Sequence, residues 1–340
     1  MGKMTAVFFA GKGKLEVGQT ELPEIGPEQA LINVKYAGIC GTDLSILTGK
    51  HPRAKPPLIM GHEFSGRIHA VNSAGTGLQA GDRVVAEPLI SCGTCFACRS
   101  GYAYVCQNLG LYGIDAPGAF AEYVAIPVEK IFKVPESVDD MLAALIEPLA
   151  VAVHAVRLSR VKMGDTVCVL GAGPIGLLTA IVARQAGAQQ VLICEKEPMR
   201  IEIARQFGLS VVDVNSEKPV AVVEEATSGR GADVVFEVAG APATVLLTTK
   251  LCRVKGEIVQ VACPKEPRAI DIVDISFKEL TITGIRVYAP FDFERAIQIA
   301  SNSGIDFKPL LSSPYPFEDA QKAFDLAAQG SAVMRVIFKA

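Results

Sequence analysis

Apolar and polar positions alternate in short runs through the first half of the chain, as at 30–36, 66–71 and 83–86, with Gly and Pro between the runs. A two-residue period places successive side chains on opposite faces of a strand, so this half is expected to form a compact β-rich domain. From about Val151 the texture changes. Nearly continuous apolar runs at 167–170, 191–194, 233–238 and 257–261 alternate with stretches of helical period at 175–186 and 198–207. That order predicts βαβ units, hence a doubly wound parallel sheet with helices on both faces. Beyond 281–284 the pattern loosens into a helical stretch at 291–301 and a last strand-like run at 333–338. No internal repeat or low-complexity tract interrupts it.

A length of 340 residues with 50% hydrophobic side chains supports two domains, each with its own core. The formal charge of −3 gives no general attraction to nucleic acid or to an anionic membrane. The opening MGKMTAVFFAGKGK has too short an apolar stretch for a secretion signal, so a cytoplasmic protein is expected. An uncharged run at 167–183 is broken by Gly171, Gly173, Pro174 and Gly176 and falls short of the ~20 residues of a membrane span.

Cys92, Cys95, Cys98 and Cys106 follow the spacing C-x2-C-x2-C-x7-C. Thiolates this close share one metal more readily than they form disulfides, and the other cysteines are scattered singly. Four sulfurs fill a tetrahedral zinc and leave no position for water, so this zinc is expected to be structural. A DNA-reading zinc ribbon is a poor fit, because its ligands come as two separated pairs.

After the strand-like run ending at Leu170 comes Gly171-Ala172-Gly173-Pro174-Ile175-Gly176, opening an apolar helix. The first glycine of such a turn permits the tight bend, the second lets a pyrophosphate approach, and the third lets helix and strand pack closely. Unpaired N–H groups at the helix start then face the phosphates. Glu195 stands 19 residues beyond Gly176, at the end of the next strand, where a carboxylate accepts from adenosine ribose hydroxyls. NAD is therefore favoured over NADP, although Lys196 and Arg200 lie near enough to soften the preference.

Three segments carry residues with no evident structural need: Cys40-Gly41-Thr42-Asp43, Gly61-His62-Glu63 and Glu147-Pro148. A thiol, an imidazole and a carboxylate make a donor set that suits zinc with one position open to substrate. Singly, each has a plainer reading: a small core cysteine, a hydrogen-bonded turn histidine, an acid in the first turn of a helix.

Together these motifs give the chain a resemblance, over nearly its whole length, to the zinc-dependent medium-chain alcohol dehydrogenases, and within them to the sorbitol, polyol and threonine dehydrogenase branch. The resemblance rests on C-G-T-D at 40–43, G-H-E-F-S-G at 61–66, the cysteine lobe at 92–106, E-P-L at 147–149 and G-A-G-P-I-G at 171–176. It implies a discontinuous GroES-like β-barrel catalytic domain over 1–150 and 286–340, with a zinc lobe at 88–108. It also implies a Rossmann NAD-binding domain over 151–285 and an active site in the cleft between the two.

By the same resemblance Cys40, His62 and Glu63 hold a catalytic zinc, and Glu147 either holds a water there or joins the metal. Two zinc ions per chain follow. Thr42 is then the first proton acceptor and Asp43 the partner orienting His62. Where many relatives have a relay histidine this chain has Ser45, so the proton leaves through water or Glu147, with His51 a weaker candidate. His69 and His154 are read as structural.

The expected reaction is hydride transfer between a small secondary alcohol (a polyol, sugar alcohol or related diol) and NAD, in a homodimer or homotetramer. Threonine and a sugar acid are alternatives, because Arg286 lies one place from its polyol-branch position, which in a strand reverses its side, and Ile46 replaces a larger polar aromatic. A zinc-free quinone or enone reductase and a non-catalytic NAD-binding regulator are rivals. The former lacks the zinc constellations, and the latter would not need Cys40, His62 and Glu63 together.

Overall fold

A computed structural model describes residues 2–330 and 333–340. The chain divides into two units, Met1–Glu147 with Ala289–Ala340, and Pro148–Tyr288. These boundaries differ by about three residues from the 150 and 286 that the resemblance implies. Helix Ile146–Leu158 runs across the first of them.

The second unit holds six parallel strands in the spatial order Ser210–Asp213, Gln190–Glu195, Thr166–Leu170, Ala232–Glu237, Cys252–Gln260 and Thr281–Gly284. Numbered along the unit, that is 3-2-1-4-5-6, the Rossmann order, with the direction of winding reversing between Thr166–Leu170 and Ala232–Glu237. Continuous apolar runs form these strands because both sheet faces are covered. Cys168, Leu170, Leu192, Val212, Val235 and Ile258 fill one core with helix residues Val223 and Leu251. The Pro198 and Pro219 helices each begin with proline at the first turn, where its missing N–H costs nothing.

The first unit is β-rich and antiparallel. Its larger antiparallel sheet runs Ile131–Lys133, Arg83–Ala86, Glu63–Asn72, Gln29–Gly38 and Ile337–Lys339, with Tyr123–Pro127 also on Gln29–Gly38. The final strand is shorter and later than the 333–338 run suggested. The chain reaches ladder pairing only at Ile337, opposite Gly38. A hairpin of Lys3–Gly11 and Lys14–Glu21 pairs with Leu58–Ile59. Phe120, Phe324 and Phe338 meet edge to face or tilted at 5.1–6.3 Å between centroids and anchor the core. No helix among the described residues is long and apolar enough to cross a membrane.

Candidate metal centres and dinucleotide cavity

The cysteine lobe leaves the barrel after Leu89–Ile90 and returns at Gly110–Leu111, which pair with each other and close it. Its sulfurs are 3.5 Å (Cys95–Cys98), 3.8 Å (Cys95–Cys106) and 4.0 Å (Cys92–Cys98) apart. A tetrahedron with metal–sulfur bonds of about 2.3 Å has edges of roughly 3.8 Å, so the four thiols are already spaced for zinc. Backbone N–H groups of Cys95 and Asn108 point at Cys92 and Cys106 Sγ, as they would toward thiolates. Crowding splits the acidities. Backbone donors pull Cys92 down to about 6, while desolvation and its thiol neighbours push Cys98 up to about 12. Only a dication would let all four ionise together.

The second group stands on two elements of the first unit. Cys40 caps helix Gly41–Leu47, and His62 and Glu63 lead into strand Glu63–Asn72. Gly61 makes that entry possible. Its φ is +92°, and a Cβ there would lie 2.5 Å from the ring of buried Phe120. One donor atom each from Cys40, His62 and Glu63 falls within 4.8 Å of the others. The donors are soft, borderline and hard, and three in number, which fits zinc with a vacant coordination position.

Burial, above all, pushes the Cys40 thiol up to about 11, with Asp43 and Glu147 adding to the rise and Arg335 opposing it. Glu147, buried in the first turn of its helix, is thus close enough to act on Cys40 by charge, but it lies outside the compact three-donor group. From there it is placed either to hold a water or to join a metal. Asp43 is fully buried and its Oδ2 accepts from Cys40 N at 2.8 Å, while its Oδ1 stays 3.7 Å from His62 Nδ1. It caps the helix firmly and approaches His62 without a hydrogen bond. Thr42 and Ser45 are half-buried at spacing i, i+3 on the same helix, so they share a face. Elsewhere, His51 Nδ1 accepts from the backbone of Arg53 and Ala54, His69 packs on Tyr123, and His154 is buried against Arg157.

Sequence reasoning missed Arg335. Its guanidinium is buried and ion-paired with Glu63 Oε2, and Asp43 and Cys40 act on it as well. The available signal was one charge inside the apolar run 333–338, since a lone buried cation requires a partner. Replacing Arg335 with methionine should destabilise the metal-free protein by about 3 kcal/mol, because Glu63 is left as an uncompensated buried charge. A metal on Glu63 supplies the missing positive charge, so the loss measured by urea unfolding should shrink when metal is restored.

Arg286 also needs correction. Strand Thr281–Gly284 ends before it, and Val287 takes a left-handed φ of +44°. The segment is not a strand, so the alternation used to judge which side Arg286 faces does not hold there.

In the second unit, Gly171, Gly173, Pro174, Ile175, Gly176, Glu195, Lys196 and Arg200 all line one cavity of about 660 Å³, completed by Val214, Val238, Thr244 and neighbours. Helix Pro174–Gln185 starts there with no side-chain cap, leaving its first N–H groups to a ligand. A Cβ on Gly176 would sit 1.9 Å from Gly171 O, so only glycine closes this turn. Glu195 Oε2 accepts from Ala172 N at 2.8 Å and Oε1 from Lys196 N at 2.7 Å and Glu197 N at 3.1 Å. Arg200 Nη1 lies 3.9 Å from Oε2. The carboxylate is therefore fixed by backbone donors and keeps only part of its accepting capacity for a ribose.

Residues 26–136 match the alcohol dehydrogenase GroES-like domain, and 174–302 match the zinc-binding dehydrogenase domain. L-threonine 3-dehydrogenase of Bacillus subtilis (strain 168) is 37% identical, with 97% of this chain and 96% of that protein aligned. 2-Dehydro-3-deoxy-L-galactonate 5-dehydrogenase of Pseudoalteromonas atlantica is 39% identical over 94% of each. Among solved structures, a zinc-binding dehydrogenase from Sinorhizobium meliloti 1021 bound to NADP superposes with a TM-score of 0.94 at 34% identity, over 100% of both chains.

Proposed function

We propose, from the premise that this chain belongs to the zinc-binding alcohol dehydrogenase family, that it oxidises the CH–OH group of a small secondary alcohol by hydride transfer to a nicotinamide dinucleotide. The observation carrying this reading is the convergence of Cys40, His62 and Glu63 on one point. A zinc ion held by these three supplies a Lewis acid to the substrate oxygen. Thr42 accepts the hydroxyl proton and hands it toward Ser45 and solvent, and Glu147 holds water near Cys40. Arg335 pairs with Glu63 and holds it in place, and Asp43 fixes the Cys40 backbone so that the thiol stays aimed. The four-cysteine lobe takes a second, structural zinc.

A polyol, sugar alcohol or diol is the first substrate class. Threonine or a sugar acid is the second reading, favoured by the two relatives named above. NAD is the preferred coenzyme because Glu195 disfavours a 2′-phosphate. Lys196 and Arg200 leave NADP usable, and the NADP-bound relative supports that allowance. Polyols, 2,3-diols, threonine and aldonates should each be assayed with NAD and NADP by the rise in reduced-coenzyme absorbance. Oxidation of none of them by protein carrying two zinc ions would end this reading in favour of a non-catalytic binder.

The assembly is a homodimer formed at the Thr281–Gly284 edge. That strand has no further neighbour in its sheet among the described residues, and Ile282, Ile272, Val273 and Phe277 are exposed along it and its adjoining helix. Phe277→Glu with Ile282→Lys should give a monomer by light scattering. An unchanged oligomer would place the interface elsewhere.

A further inference from the structure

Strand Ser210–Asp213 lies beside Gln190–Glu195 with Asp213 opposite Glu195, and the chain runs on from it into Val214 and Asn215. Val214 lines the dinucleotide cavity together with Glu195 and Lys196, and Asn215 follows one residue behind that wall. A built turn holds Asn215. Asp213 Oδ1 accepts from Asn215 N at 3.0 Å and from Asn215 Nδ2 at 2.9 Å, Asp213 O accepts from Ser216 N and Glu217 N, and Glu217 Oε2 accepts from Asp213 N at 3.0 Å. Asn215 Nδ2 also donates to Lys196 O at 2.7 Å. Both of its partners are acceptors only, so the amide nitrogen and not the amide oxygen must face them.

That last contact reaches the cavity through one rigid unit. Lys196 C=O and Glu197 N–H are the two ends of a single peptide plane and point opposite ways. Asn215 grips the oxygen end, while Glu195 Oε1 accepts from the nitrogen end at 3.1 Å as well as from Lys196 N at 2.7 Å. Turning this plane therefore takes a donor away from Glu195 Oε1. On the other side Oε2 is bonded to Ala172 N at 2.8 Å, with Arg200 Nη1 at 3.9 Å. A carboxylate loosened at Oε1 can swing onto that guanidinium, where it accepts less well from a ribose hydroxyl and repels a 2′-phosphate less.

We propose that Asn215 is a positioning residue for coenzyme choice: by fixing the peptide between Lys196 and Glu197 it keeps Glu195 aimed at the ribose and so maintains the preference for NAD over NADP. The inference rests on the reading of this cavity as the coenzyme site with Glu195 at its adenosine end. Asn215 is exposed, so Asn215→Ala removes the donor without opening a cavity in the core. Zinc-loaded wild type and Asn215→Ala are titrated with NAD and with NADP by calorimetry. The ratio of Kd for NADP to Kd for NAD should fall about fivefold in the variant, the worth of one hydrogen bond. A ratio that does not fall, whether or not both affinities weaken, reduces Asn215 to a turn residue and overturns the proposal.

Because Asn215 acts only through Glu195, the same substitution in a Glu195→Ala background should leave the ratio where Glu195→Ala alone sets it. A further fall of similar size in that background would mean that Asn215 reaches the coenzyme by another route, and would overturn the proposal as well. Failure of the wild-type protein to bind either NAD or NADP would instead overturn the dinucleotide reading and this inference with it.

Discussion

Cys40→Ser should lower alcohol oxidation by at least about 10⁴-fold and reduce bound zinc from two ions to one, with dinucleotide affinity unchanged. Three donors are the fewest that hold a catalytic zinc with an open position, and a serine hydroxyl is a far poorer zinc ligand than a thiolate. The Cys40 thiol, raised to about 11 by burial with no metal bound, would become a ligand only because a dication drives off its proton. The substitution is otherwise mild. Asp43 holds residue 40 through its backbone N–H, so the helix cap survives the loss of sulfur. The dinucleotide cavity is built wholly from residues of the Pro148–Tyr288 unit and should bind as before. Metal analysis, steady-state rates and a coenzyme titration on one preparation check all three parts. Turnover above roughly 1% of wild type would remove Cys40 from the mechanism, since loss of a metal's function costs far more.

Cys106→Ser should lower the midpoint of thermal unfolding by on the order of 10 °C, the scale expected when a structural metal is lost. The lobe has little else to hold it. Phe96 is 74% exposed and Tyr102 53%, so these aromatics form no core, and the closing ladder of Leu89–Ile90 with Gly110–Leu111 is two residues long. Cys106 is the one fully buried thiol of the four, and it receives N–H groups from Cys92 and Asn108. Its sulfur therefore ties the start of the lobe to its end. A chelator strong enough to strip both zinc ions should bring the wild-type midpoint down to that of the variant. A variant that unfolds within about 2 °C of wild type would make the lobe metal incidental to stability.

The parallel sheet was legible because its strands are buried on both faces and read as unbroken apolar runs. The short edge strand Ser210–Asp213 was not, since four residues with an exposed serine leave no period to count. The barrel was only half legible. Gln29–Gly38 and Glu63–Asn72 are strands as expected, though buried in runs rather than on alternate positions, and the second strand of the N-terminal hairpin, Lys14–Glu21, is polar and largely solvent-facing and resembles a loop. The cysteine lobe was readable from spacing, because its ligands are local. Cys40, His62 and Glu63 were readable only as motifs, because they stand on separate segments that only the fold brings within 4.8 Å. Arg335 and the tie from Asn215 to Lys196 depended on contacts between distant segments, which local pattern does not record. The side of Arg286 was misjudged because a strand period was carried past Gly284, where the backbone leaves the sheet.

Strand Ile337–Lys339 completes the barrel beside Gln29–Gly38, and Arg335, just before it, balances Glu63. On the ribosome, then, residues 148–288 can emerge and fold as a continuous piece while the segment before them waits for a sheet partner that follows them in the chain. Nascent chains stalled after Gln329 should carry a protease-resistant second unit and an unfinished first one, with Glu63 still lacking its balancing cation Arg335.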